Sequence, residues 1–79
     1  MVSGRQIRAA RALIGISAKE LAEASNVGWA TIQRYEKIDV VPDGQSEKLG
    51  SVKAALEAAG VEFIGDPVQS PGVRLHPDR

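Results

Sequence analysis

Apolar positions recur along this chain with two different periods, and the change from one to the other divides it. Ile7, Ala10 and Ile14 fall at i, i+3 and i+7, the spacing of one helix face. Ser3-Gly4-Arg5-Gln6 precedes them as a capping box, in which Ser3 accepts from the third helical N–H and Gln6 reaches back. Val2 and Ile7 fit the accompanying hydrophobic staple, and Gly15 supplies a left-handed stop. The device repeats at once: Ser17 caps, Glu20 answers, and Ile16 staples to Leu21. Two complete start signals this close together predict two separate short helices.

Ser25-Asn26 bounds the second helix, because Asn tolerates the positive φ of a tight turn. A third helix over roughly 28–37 places Ile32, Tyr35 and Glu36 inward. "IDVVPDGQ" breaks the pattern with a β-branched run, Pro42 and Asp43-Gly44, so it reads as a loop. A fourth helix runs from about Ser46 to Ala59, with Leu49, Val52, Leu56 and Ala59 in register and Gly60 as its stop. Gly50 lies inside it and weakens it by up to about 1 kcal/mol relative to Ala.

Beyond Gly60 the period falls to two. Val61-Glu62-Phe63-Ile64 and Val73-Arg74-Leu75-His76 alternate around "GDPVQSPG", which predicts a β-hairpin with a long loop. Alternation puts Val61, Phe63, Val73 and Leu75 on one face and Ile64 on the other. A lone hairpin is marginal in water, so it must pack on the helices or on another chain. The expected organisation is a mainly α unit over 1–60, followed by a short C-terminal hairpin and tail over 61–79.

Composition narrows the function classes. At 79 residues the chain is near the low end of what buries a working core alone, and with no cysteine it has no disulfide or thiolate site to supplement that core. The single histidine, His76, excludes the usual histidine-rich metal cluster, and no cofactor is expected. No apolar run approaches the roughly 20 residues of a membrane span, and no secretory h-region is recognisable, so a cytoplasmic protein without membrane contact is expected. Catalysis is not expected either. There is no glycine-rich phosphate loop or paired-carboxylate pocket, and Ser3 and Ser17 are accounted for as caps. Net charge is zero but unevenly placed. Residues 1–42 carry six basic side chains against four acidic ones, and 43–79 carry four against six. The N-terminal half is the one suited to meet an anion.

The stretch from Ile7 to Glu36 resembles the lambda-repressor/Cro-like, Xre-type helix-turn-helix regulators. The residues that carry the resemblance are Ile7, Arg8, Arg11, the Gly15-Ile16-Ser17 corner, Leu21-Ala22, Val27, Thr31-Ile32 and Tyr35-Glu36. It covers the first half of the chain closely, and the fourth helix in type only. What it implies is a four-helix lambda-repressor-like domain that binds double-stranded DNA. Ala22 would be small where the third helix crosses the second, and Arg11 would pair with Glu36 beneath the surface. The third helix would lie in the major groove, reading base edges with Trp29, Ala30, Gln33 and Arg34. Gln33 suits an adenine edge and Arg34 a guanine edge, while Ala30 can meet only a thymine methyl or leave room. Phosphate contacts would come from Ser17, Lys19, Gly28, Thr31 and Lys37.

Three positions depart from the family pattern. Ala18 replaces a common Gln phosphate ligand, Gly28 the usual Ser or Thr cap, and Ile38 a frequent Gly. Trp29 has three readings: a half-buried cover for the neighbouring loop, an apolar contact to thymine methyls or deoxyribose, or a hot spot for a protein partner. Two function classes follow. The first is a sequence-specific regulator acting as a homodimer, with Val61, Phe63, Ile64, Val73 and Leu75 as dimer candidates. The second is a protein-interaction module on the same scaffold, and an antitoxin-type autorepressor with a toxin partner would combine both.

Overall fold

The two capping boxes close in both directions and set where the first helices begin. In the computed structural model, which describes residues 1–42 and 46–78, Ser3 opens α1 (Gly4–Ile14) and Ser17 opens α2 (Ala18–Ser25). Gln6 N–H donates to Ser3 Oγ at 3.3 Å, and Gln6 Oε1 accepts from Ser3 N–H at 3.0 Å. Ser17 and Glu20 repeat the exchange at 3.0 and 2.9 Å. α1 stops at Gly15 (φ 73°) and α2 at Asn26 (φ 56°), the one non-glycine residue with positive φ among those described. α3 (Trp29–Glu36) starts from Gly28 with no side-chain cap, and α4 spans Ser46–Ala58. Asp43 and Gly44, expected within the loop between them, lie outside the described residues.

The chain ends in the expected hairpin. β1 (Val61–Ile64) pairs antiparallel with β2 (Gly72–Leu75), with Val61 opposite Leu75 and Ile64 opposite Gly72. Its loop is closed by Asp66, whose carboxylate accepts from the N–H groups of Gln69 (2.8 Å) and Val68 (3.0 Å). Those two bonds hold the Asp66 carboxyl below the usual carboxylate range.

One core joins all the elements. Ile7 and Ala10 of α1, Leu21 of α2, Ile32 and Tyr35 of α3, Leu49, Val52 and Leu56 of α4, and Val61 of β1 are buried together. Val2, the staple residue, is enclosed with them. Burial raises the Tyr35 phenol above its ordinary pKa, and among the described residues its hydroxyl has no hydrogen-bond partner. Ala59 departs from expectation: it lies past the end of α4 and is exposed. There the last turn tightens, with Ala59 N–H shared between the Ala55 and Leu56 carbonyls. Ala55 packs against the core instead.

Two contacts that no local pattern announces fix α1 to the rest. Gln6 turns its amide toward the hairpin, where Nε2 donates to the carbonyls of Gly72 (3.0 Å) and Ile64 (3.3 Å). Gly4 lies against the chain leaving α3: its N–H donates to Val40 O at 3.2 Å, and a Cβ there would overlap the Tyr35 and Ile38 carbonyl oxygens. Among the described residues, no helix is long and apolar enough to cross a membrane.

Gly4→Ala should therefore lower stability by ~1–3 kcal/mol or more, because the new methyl meets backbone. Gly50→Ala, with nothing within 4 Å of its added Cβ, should raise it by about 0.5–1 kcal/mol. Denaturant unfolding of the two variants checks both signs. Gln6→Glu keeps the capping acceptor but loses both donors and brings a carboxylate up to two carbonyls. It should cost more than Gln6→Ala in the same unfolding assay; a milder effect would show that Gln6 serves only as a cap.

Candidate nucleic-acid interface

Helical spacing decides which α3 side chains face outward. With Ile32, Tyr35 and Glu36 buried, residues 29, 30, 33, 34 and 37 fall on the opposite side. Trp29, Ala30, Gln33, Arg34 and Lys37 are all exposed, and Thr31 is half-buried at the boundary. Ser17 and Lys19 are exposed at the start of α2, as is Gly28 at the start of α3. Among the described residues, no hydrogen bond or ion pair engages the side chains of Lys19, Gln33, Arg34 or Lys37. The Arg34 guanidinium lies 5.8 Å from the Tyr35 ring centroid, near the limit of a cation–π contact. These groups remain available to a partner.

The arginines of α1 are used differently. Arg11 meets Glu36 in a two-pronged contact, Nε to Oε2 and Nη2 to Oε1, both at 2.9 Å, and its Nη1 donates to Ile16 O at 3.0 Å. The Glu36 hydrogen bonds raise the already high pKa of the guanidinium. Arg8 donates to the Glu36 carbonyl, which helps close the end of α3 where no glycine stands. Arg5 and Arg8 also hold Asp39 at 3.2 and 3.3 Å, and the hydrogen bond from Arg5, then that from Arg8, lowers its pKa. This cluster anchors the C-terminal end of α3 to α1. The sequence marks the Arg11–Glu36 pair through the family resemblance alone; nothing in it marks Asp39.

Ala22 and Val27 are buried where α2 meets α3. Beside them Lys19, Ala22, Glu23, Asn26, Val27, Gly28 and Trp29 line a shallow groove of about 320 Å³. Trp29 forms one wall and is 50% exposed. On the hairpin, Val61 is enclosed in the chain's own core, and Phe63 and Val73 pack against it. Ile64 and Leu75 are half-buried. The opposite hairpin face carries Ile64 beside a polar cluster, with His76 Nε2 2.7 Å and Arg74 Nη1 3.7 Å from Glu62 Oε1. Neither a protein-family model nor a curated protein matches the chain.

Asp39 yields a pH test. A folded-state pKa held below the ordinary value of about 3.9 means stability that is present above that pH and lost as pH falls through the folded value. Asp39→Asn should destabilise the protein at neutral pH, and the difference from wild type should shrink on acidification below about pH 4. A pH-independent difference in thermal unfolding would reduce the Arg5–Arg8–Asp39 cluster to packing.

Proposed function

We propose that the chain is a sequence-specific DNA-binding regulator of the lambda-repressor/Cro-like kind, with α3 inserted into the major groove. The observation that carries this reading is the contrast between two sets of polar side chains. Those on α1 are engaged within the fold, whereas Gln33, Arg34, Lys37 and Lys19 are exposed, with no internal hydrogen bond or ion pair among the described residues. An eight-residue α3 is about 12 Å long, enough for one half-site. Its first two outward residues, Trp29 and Ala30, meet base edges first, followed by Gln33 and Arg34. Ser17, Lys19, Gly28, Thr31 and Lys37 serve the flanking phosphates.

On this reading the protein acts as a homodimer. Recognition helices of a two-fold dimer lie about 34–36 Å apart. The molecule measures 32 × 29 × 18 Å, so two copies side by side reach that spacing while touching. Ile64, on the face away from Val61, Phe63, Val73 and Leu75, is the partly open apolar residue that, with the strand edges, suits that contact. No enzymatic activity or cofactor belongs to this reading.

Selection of duplexes from a random pool, followed by mobility shifts at several salt concentrations, tests the proposal. Arg34→Ala and Gln33→Ala should each relax base preference by about 1–3 kcal/mol at one position. Lys19→Ala and Lys37→Ala should weaken all sequences equally, each lowering the salt slope by about one unit for every phosphate it no longer neutralises. Failure to enrich any sequence, with no salt-dependent binding to bulk DNA, would favour the protein-interaction alternative.

A further inference from the structure

Trp29 is the feature that a polar reading surface does not account for. An indole can bury roughly 150–250 Å², yet this one leaves half its surface in solvent. The core does not need it, because Tyr35, Ile7, Leu21 and Ile32 already fill the space between the helices. The next outward residue, Ala30, is also apolar and exposed. The groove beside Trp29 has Ala22, Val27 and Gly28 along it, with Lys19, Glu23 and Asn26 as its polar members. The start of α3 is therefore an apolar step set into a polar, partly cationic surface.

The major groove of a duplex contains one apolar group, the C5-methyl of thymine. We infer that Trp29 and Ala30 together read one thymine through that methyl, and that the groove along α2 accepts it. This rests on the proposed DNA-binding function and deepens it by naming the base. The charges around the step fit a duplex. Lys19 lines the groove, and Arg34 and Lys37 follow along α3, all three exposed without an ion pair and suited to phosphates. Glu23 and Lys19 are the charged groove residues and balance one another, so the groove floor of Ala22, Val27 and Gly28 carries no net charge. A base edge, which carries no net charge, matches a groove that is itself neutral overall.

Removing only the methyl tests the inference. Each thymine of a selected duplex is replaced in turn by uracil, which keeps every hydrogen-bonding atom. One position per half-site should lose about fourfold in affinity, the effect of one buried methyl group. At that position cytosine should bind less well than 5-methylcytosine. Trp29→Ala should narrow the difference between the thymine and uracil duplexes, with a melting temperature near that of wild type. Trp29 is the single tryptophan, so its fluorescence in the unaltered protein gives a second readout. It should shift on binding the thymine duplex and shift less on binding the uracil one. A selected duplex that binds tightly but is indifferent to every uracil replacement overturns the inference and leaves DNA binding standing. So does a uracil effect that Trp29→Ala retains in full. A pool from which no duplex is selected removes the DNA-binding reading itself, and this inference with it.

Discussion

The two-pronged contact between Arg11 and Glu36 determines how α3 is presented, and most of the outer surface follows from it. One guanidinium serves three elements: it belongs to α1, holds the carboxylate on α3, and donates to the Ile16 carbonyl at the corner leading into α2. A planar fork accepts a carboxylate in few orientations. Turning α3 by one residue, about 100°, would carry Glu36 away from it. The same turn would bring a different set of side chains to the outside. The Glu36 side chain is 10% exposed and Arg11 27%, so desolvation offsets much of the attraction. Removing one partner still strands the other, at a cost of about 3–5 kcal/mol for a fully buried pair and less where water reaches the guanidinium. The pair acts chiefly on orientation.

A second set of contacts reinforces that orientation from the other end of α1. Gly4 lets α1 approach the chain leaving α3, and Arg5 and Arg8 hold Asp39 just beyond it. Gln6, two residues from Gly4, bonds two carbonyls, of Ile64 and Gly72, at the loop end of the hairpin. The first turns of α1 thus touch both the end of α3 and the loop end of the hairpin. In a chain with no disulfide, such shared anchor points substitute for covalent ones.

What is legible in the sequence follows the range of each interaction. The capping boxes, the Gly15 and Asn26 turns, the Gly60 stop and the hairpin strands are decided within a few residues, and their patterns are visible as written. The outward placement of Trp29, Ala30, Gln33 and Arg34 follows from helical period alone. Arg11 and Glu36 lie 25 residues apart, and nothing local joins them. Gly4 reads as a spacer in a capping box because its constraint comes from carbonyls more than 30 residues away. Gln6 shows only its acceptor; its donor end faces a partner 58 and 66 residues on. Ala59 fits the period of α4 and fails because helices tighten at their last turn, which periodicity does not encode.

Zero net charge is compatible with the proposed function once the location of the charge is considered. Three arginines of α1 face Glu36 and Asp39 within the fold, so they contribute little to an outside anion. Lys19, Arg34 and Lys37 remain free, while Ala18 and Gly28 supply no side-chain donor where phosphates would lie. Each phosphate neutralised contributes about 0.9 to the salt slope, so one copy with so few cations would bind DNA weakly and without much dependence on salt. Low non-specific affinity is useful to a reader of sequence, because competing sites outnumber the correct one by many orders of magnitude. It also means that base edges must supply a larger share of the binding than in a strongly basic protein. An apolar step at the start of α3 suits that division: a methyl contact adds discrimination without adding charge. Two copies would double both contributions, which is what the proposed homodimer would supply.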